Sequence, residues 1–258
     1  MKVTKIFDLN SDLIVPYKSM KDNLVDRYNN ALFISEGEKV VIKLLKSNLK
    51  IISILAKESF FQEYKTIIEY RSDITLITAD KEVLTEIIGF RMHTGVMALA
   101  YKPENLSIND LNDKIVLMNS IIDSENVGSI VRNCGAFGIQ SIICDNGCSS
   151  PYLRRAVRVS MGTIFNISYY KSTNVVFDLL LLKSYGYKII ASEIHDQSQN
   201  ISQFVFPDKF VIIFGNESQG VNRELLQMSD HIVYIPISKN IESLNVAVSS
   251  GIILSRIF

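Results

Sequence analysis

Three groups of polar residues and glycines in the second half of the chain have the types and spacing of a ligand site. The first is Asn126-Val127-Gly128-Ser129-Ile130-Val131-Arg132, running on to Phe137-Gly138. The second is Phe214-Gly215-Asn216-Glu217-Ser218-Gln219-Gly220, and the third couples Ile235-Pro236 to Ser243-Leu244-Asn245-Val246. On a helix, Asn126, Ser129 and Arg132 fall roughly on one face, which gives an amide, a hydroxyl and a guanidinium side by side. Gly128 and Gly135 lie in the same segment. Each glycine costs a helix about 1 kcal/mol relative to Ala, so two of them indicate close packing or a ligand at that face. Gly215 and Gly220 bracket polar residues after a strongly apolar run, as in a loop that cradles a ligand. Pro236 ends ladder pairing and commits the chain to a loop. Taken singly, each group also fits an ordinary element: a capped surface helix, a strand-to-helix turn, a polar residue near a helix start. No Gly-x-Gly-x-x-Gly and no Walker lysine pattern is present, which speaks against a dinucleotide site or a P-loop.

The elements that must carry these groups alternate. Hydrophobic spacing predicts strands over 31–35, 50–55, 74–78 and 96–101, with helices over 37–47, 59–70 and 81–88 between them. Residues 102–112 are polar, with Pro103, Asn105, Ser107, Asn109 and Asp110, and read as a linker. Later strands are expected over 114–119, 141–144, 188–191, 210–214 and 231–235. Helices are expected over 127–137, from Pro151 with Ser150 as N-cap, over 175–185, from near Val221, and over 244–257 as an amphipathic element. This pattern predicts α/β architecture with a parallel sheet covered on both faces. The three polar groups then sit where strands hand over to helices, the place where open α/β sheets bind ligands. The expected organisation is a unit over 1–102, a linker over 103–113 and a second unit over 114–258.

Composition sets limits. The 258 residues are 47% hydrophobic, enough for sizeable cores. Lys plus Arg and Asp plus Glu number 27 each, so any nucleic-acid contact must come from a local basic patch rather than net charge. Tyr152-Leu153-Arg154-Arg155-Ala156-Val157-Arg158 is such a run, readable either as a solvated helix face or as a contact to an RNA backbone. Cys134, Cys144 and Cys148 form a sparse, odd set suited to a reducing compartment, and no matching Cys or His pair completes a zinc site. No signal peptide or membrane span is read, so the expectation is a cytoplasmic protein without metal or membrane.

In this order and combination the three groups resemble the signature motifs of the SpoU (TrmH-type) RNA ribose 2′-O-methyltransferases of the SPOUT superfamily. The matching residues are Asn126/Gly128/Arg132, Gly215/Glu217/Gly220 and Ile235/Pro236/Ser243/Leu244/Asn245, and coverage runs from about Lys114 to the C-terminus. The resemblance implies a SPOUT domain with a trefoil knot, and S-adenosylmethionine held at Gly215, Asn216, Ile235 and Leu244. It implies a homodimer acting on RNA, with rRNA favoured and tRNA as an alternative. Arg132, Asn126, Glu217, Ser243 and Asn245 would be the catalytic set. Accounts of the family make the counterpart of Arg132 the general base. A guanidinium is essentially always protonated, so the expected role is instead to bind the neighbouring phosphate and stabilise the developing alkoxide. Arg158, Arg154 and Arg155 are the expected RNA contacts.

The first unit resembles, more loosely, the small ribosomal-protein-like α/β domain that many such enzymes use to bind RNA. The residues concerned are Phe33-Ile34-Ser35-Glu36-Gly37 and Gly95-Val96-Met97-Ala98, with His93-Thr94-Gly95 departing from an expected Gln before the glycine. Other readings are a non-catalytic RNA-binding protein on the same fold and a SPOUT enzyme that methylates a base.

Overall fold

In a computed structural model, residues 2–18, 31–71, 73–88 and 95–257 are described. His93 and Thr94 lie outside them. The chain divides into two compact units. One comprises residues 1–104 together with 152–165, and the other residues 105–151 and 166–258.

The first unit holds β1 (Val3–Ile6), α1 (Val15–Lys18), β2 (Leu32–Glu36), α2 (Glu38–Lys46) and β3 (Ile51–Ala56). It continues with α3 (Glu58–Glu63), α4 (Lys65–Glu69), β4 (Thr75–Ala79), α5 (Lys81–Ile88) and β5 (Val96–Tyr101). Its sheet runs β1-β4-β3-β5-β2 and is mixed. β1 and β3 pair with β4 in parallel, while β5 runs antiparallel to both β2 and β3. β1 went unread because Val3-Thr4-Lys5-Ile6 is a half-exposed edge strand with little apolar signal. The single helix expected over 59–70 breaks at Tyr64, whose φ of −103° takes it out of helical geometry. Phe33–Gly37 and Gly95–Ala98 prove to be neighbours: Ser35 opposes Ala98, Glu36 opposes Met97, and Gly37 N–H donates to Val96 O at 3.0 Å.

The second unit begins with β6 (Lys114–Met118), α6 (Ser124–Ala136) and β7 (Ser141–Cys144). The chain then passes through α7 (Arg154–Val159), which packs in the first unit, and returns for β8 (Ser168–Lys171) and α8 (Val175–Ser184). It ends with β9 (Lys188–Ser192), β10 (Gln199–Asn200), β11 (Phe210–Phe214), α9 (Arg223–Met228), β12 (His231–Tyr234) and α10 (Val246–Leu254). The seven strands are ordered β10-β12-β9-β11-β6-β7-β8, and every pairing is parallel. β6 and β11 are the most apolar strands and sit at the centre, where a strand covered on both faces must be hydrophobic along its length. Phe210 to Phe214 lie wholly buried between β6 and β9.

From β6 the chain steps to β7 and β8 on one side, then crosses to build β9 to β12 on the other. That reversal places the switch point between β6 and β11, where a crevice opens at the carboxyl ends of the strands. Among the described residues, no helix is long and apolar enough to cross a membrane.

Two helix expectations need correction. α7 starts at Arg154 with Leu153 at its N-cap, not at Pro151. Tyr152 is buried with its ring 5.2 Å from that of Phe33, and this packing overrides the local start signal at Ser150-Pro151. α10 is not amphipathic: Val246, Ile253 and Leu254 are buried, yet Val248 and Ile252 on its other side are 52% and 38% exposed.

Candidate functional site

The first layer of the site is the pair of turns that leave β6 and β7. Asn119 follows β6 and is buried. Its Nδ2 donates to Asp145 Oδ2 at 2.7 Å, and its Oδ1 accepts from Asn222 N–H at 2.8 Å. Asp145, after β7, also accepts from Ser120 N–H, Ser120 Oγ–H and Gly147 N–H. A carboxylate with this many donors is satisfied despite its burial. Ser120 is held at φ 56°, a left-handed conformation uncommon for a residue with a side chain, and the Asp145 bonds fix it there. The reason is visible one step on, because Ser120 O accepts from Asn216 Nδ2 at 2.8 Å.

Asn216 begins the glycine loop after β11. Its Oδ1 accepts from Ser218 N–H at 2.9 Å and Gln219 N–H at 3.1 Å, so the side chain folds the loop over itself. Two backbone bonds between Asn216 and Gly220, of 3.0 and 2.9 Å, close it. Gly215 must be glycine for this closure, since a Cβ there would stand 2.3 Å from the carbonyl carbon of Gly220 and from Val221 N. The absent side chain serves the loop's own backbone first. Gly220 adopts φ +69°.

The second layer joins the three motifs. Asp123 caps α6, which places Asn126 in the first turn of that helix. Asn126 Nδ2 donates to Glu217 Oε1 at 2.5 Å, and Asn126 Oδ1 accepts from Asn245 Nδ2 at 3.0 Å. Asn245 is the N-cap of α10, its Oδ1 accepting from Ala247 N–H at 2.9 Å and Val248 N–H at 3.3 Å. The orientation of both amides is forced from the ends. A carboxylate only accepts and a backbone N–H only donates, so every hydrogen bond in the chain points toward Glu217. The N-terminus of α10 thereby lends its positive end to the Glu217 charge through two amides.

A cavity of about 440 Å³ lies over the carboxyl ends of β9, β11 and β12. Gly215, Asn216, Glu217, Ile235, Ser243 and Leu244, all expected at the site, line it. Asn126 and Asn245 reach it through Glu217. Arg132 does not line it: about 120° around α6 from Asn126, it does not share that residue's face as expected, and its exposed side chain makes no hydrogen bond or ion pair among the described residues. Of the two helix glycines only Gly128 is buried.

The expected RNA contacts are in the other unit, on α7. Arg154 Nε donates to Glu36 Oε2 at 2.9 Å with both side chains only 16% exposed, while Arg158 stands 3.9 Å from the same oxygen and is half-exposed. Arg155 is exposed. Sequence reasoning missed Asn119, Ser120, Asp145 and Glu193. Each directly follows an apolar strand or closes the turn after it, and that position was the available signal. Cys148 Sγ–H donates to Met118 O at 3.0 Å and accepts from Ile121 N–H at 3.2 Å, so this thiol is tied into the backbone beneath the site.

The cavity suits a cationic sulfonium donor. Its volume is in the range of small-ligand sites, and among the described residues its lining includes Glu193, Glu217 and Glu242 but no Lys, Arg or His.

Comparison with known proteins agrees with this geometry. An uncharacterized tRNA/rRNA methyltransferase of Mycobacterium bovis is 27% identical over 233 residues, covering 86% of this chain and 79% of its own. The 23S rRNA (guanosine(2553)-2′-O)-methyltransferase RlmP of Bacillus subtilis is 25% identical, covering 89% of each chain. The structure of an AdoMet-bound rRNA methyltransferase from Sinorhizobium meliloti superposes with a TM-score of 0.86 over 99% of this chain and 97% of that one, at 21% identity, and shows the same fold. The SpoU rRNA Methylase family model matches residues 113–255, more than half of the chain, and the protein belongs to that family.

Proposed function

We propose that the protein methylates a ribose 2′-hydroxyl of RNA with S-adenosylmethionine as donor. The observation that carries this reading is the bonded chain from the α10 N-terminus through Asn245 and Asn126 to Glu217, which ties all three motifs to one cavity. When bound, S-adenosylmethionine supplies a methyl group already activated on a positive sulfur. The residues of this chain have two remaining tasks, to hold the hydroxyl in line and to stabilise the charge that develops on it.

Gly215, Asn216, Ile235 and Leu244 would hold the donor, with the loop geometry set by Asn216 and Ser120. Glu217, Asn126, Ser243 and Asn245 would orient the ribose. Arg132 would bind the phosphate beside it and stabilise the alkoxide through its fork of donors, its guanidinium staying protonated. Its exposed, unengaged state supports a role completed by other molecules: RNA, and the second subunit of a homodimer. Exposed Ile122, Val248 and Ile252 support such a dimer. The convergence of the 214–220, 234–237 and 242–249 segments on one cavity supports the trefoil knot.

For substrate we propose ribosomal RNA, supported by the near full-length match to RlmP, a 23S rRNA enzyme by name. Residues 1–102 would be the RNA-binding domain, residues 103–113 the linker and residues 114–258 the methyltransferase domain. Arg158 and Arg155 would contact the RNA backbone, with Arg154 setting the helix through Glu36. The cytoplasm would be the place of action.

Incubation with tritiated S-adenosylmethionine and unmodified 23S rRNA, 16S rRNA or bulk tRNA tests the proposal. Label in 23S rRNA is expected. Label in tRNA alone would overturn the substrate, and label in no RNA by a protein that binds the donor would overturn the reaction.

A further inference from the structure

We propose that Glu193 is a positioning and selectivity residue of the cavity. It fixes the glycine loop through Val221, and its charge makes the site distinguish the cationic sulfonium donor from the neutral thioether left after transfer. This inference rests on the methyl-transfer reading above and deepens it.

Glu193 belongs to none of the three motifs. It directly follows β9, and its backbone N–H donates to Val233 O at 3.0 Å, which locks it between β9 and β12. Its Oε2 accepts from Val221 N–H at 2.8 Å. The same oxygen would stand 2.3 Å from a Cβ on Gly220, so the carboxylate is packed directly on the loop. Among the described residues, Oε1 has no hydrogen-bond partner and no cation pairs with Glu193.

The charge follows from the company it keeps. Among the described residues three carboxylates line the cavity, and no lining residue carries a positive charge. Glu217 already accepts from Asn126, and Glu242 is exposed and therefore screened by solvent. Glu193 is half-buried with one oxygen uncommitted, which makes it the carboxylate whose field acts most strongly inside. Donor and product share their adenosine and amino-acid parts, so contacts to those parts cancel in the comparison between them. What differs is one methyl group and one positive charge. An acidic wall favours the ligand that keeps that charge and releases the one that has lost it.

The test is calorimetric titration of the full-length protein with S-adenosylmethionine and, separately, S-adenosylhomocysteine. Wild type is compared with Glu193→Gln, whose amide oxygen still accepts from Val221 N–H while the charge is gone, and with Glu193→Ala. Glu193→Gln should weaken the donor roughly tenfold, the order of one partly screened charge pair, and leave the product nearly unchanged. Glu193→Ala should weaken both, because the loop loses its anchor. Equal weakening of both ligands by Glu193→Gln, or no change in either, overturns the inference while leaving the methyl-transfer reading intact. A wild type that binds neither ligand overturns that reading, and this inference with it.

Discussion

Asn245 and Asn126, 119 residues apart in the chain, meet through a single 3.0 Å hydrogen bond whose polarity is fixed by the groups at either end of it, the Glu217 carboxylate and the backbone N–H groups of α10. Asn126 has its remaining donor on Glu217, and Asn245 has its oxygen on the first N–H groups of α10. Replacing Asn126 by Asp removes the donor and sets two carboxylates against each other. Methyl transfer should fall by on the order of a hundredfold or more. The melting temperature should move far less, since Asn126 is at the surface of α6. Turnover within a few-fold of wild type in a folded Asn126→Asp protein would show that the bonded chain plays no part in catalysis.

Asn245 has two functions that substitution separates. Asn245→Ser keeps a capping oxygen but is too short to reach Asn126, whereas Asn245→Ala loses the cap as well. The serine variant should keep most of the stability and lose activity. The alanine variant should additionally cost about 1 kcal/mol, the usual worth of an N-cap. Thermal melts and initial rates measured side by side distinguish the two losses.

The glycine loop predicts its own sensitivity. Gly215→Ala pushes a methyl group into the backbone of Gly220 and Val221, neither of which can yield without opening the loop. Binding of S-adenosylmethionine should be lost, with a destabilisation on the order of 2–4 kcal/mol from the steric clash. Calorimetry showing wild-type affinity would contradict this account of the loop.

On α7 two arginines should part company. Arg154→Ala removes the partner of a mostly buried Glu36 and should destabilise the first unit by about 2 kcal/mol. Arg158→Ala should cost under about 0.5 kcal/mol, as exposed pairs do. Arg158→Ala should instead weaken RNA binding and reduce the slope of log affinity against log salt by about 1, the signature of one lost phosphate contact. Denaturant melts and filter binding at several salt concentrations read the two effects.

Asp230 predicts an acid-sensitive contact at the amino ends of β9 and β12. Burial tends to raise its pKa, but hydrogen bonding to Ile189 N–H and the nearby Lys183 ammonium outweigh that and hold it below the usual carboxylate value. A carboxyl with a depressed folded pKa contributes stability above its unfolded value, near 4, and loses it as pH falls through the folded one. Asp230→Asn should therefore melt lower than wild type at pH 7. The difference should close as pH drops below about 4.

The catalytic half of the fold was legible because its signal is strong: β6 after Lys114 and β11 throughout are apolar, and glycines and polar residues punctuate their ends. The motif residues Glu217, Asn126 and Asn245 could be named from the sequence. Their mutual bonding could not, since no local pattern reports a contact across 91 or 119 residues. Asn119, Ser120 and Asp145 escaped notice because a buried polar network looks, in sequence, like any turn after a strand. Short edge strands such as β1, β8 and β10 lack the apolar run that marks central ones. The start of α7 was misplaced because the burial of Tyr152 against Phe33 is a tertiary fact that overrules a good local capping signal.

The most direct test of methyl transfer to a ribose is the position and chemistry of the product. Unmodified 23S rRNA treated with wild type, Arg132→Ala and Arg132→Lys, then cleaved by alkali, reports 2′-O-methylation as a gap in the ladder. The account predicts one protected nucleotide with wild type, none with Arg132→Ala, and strong loss with Arg132→Lys because an ammonium cannot reproduce the guanidinium fork. Transfer of label to RNA without any alkali-resistant linkage, or full protection with Arg132→Lys, would contradict it.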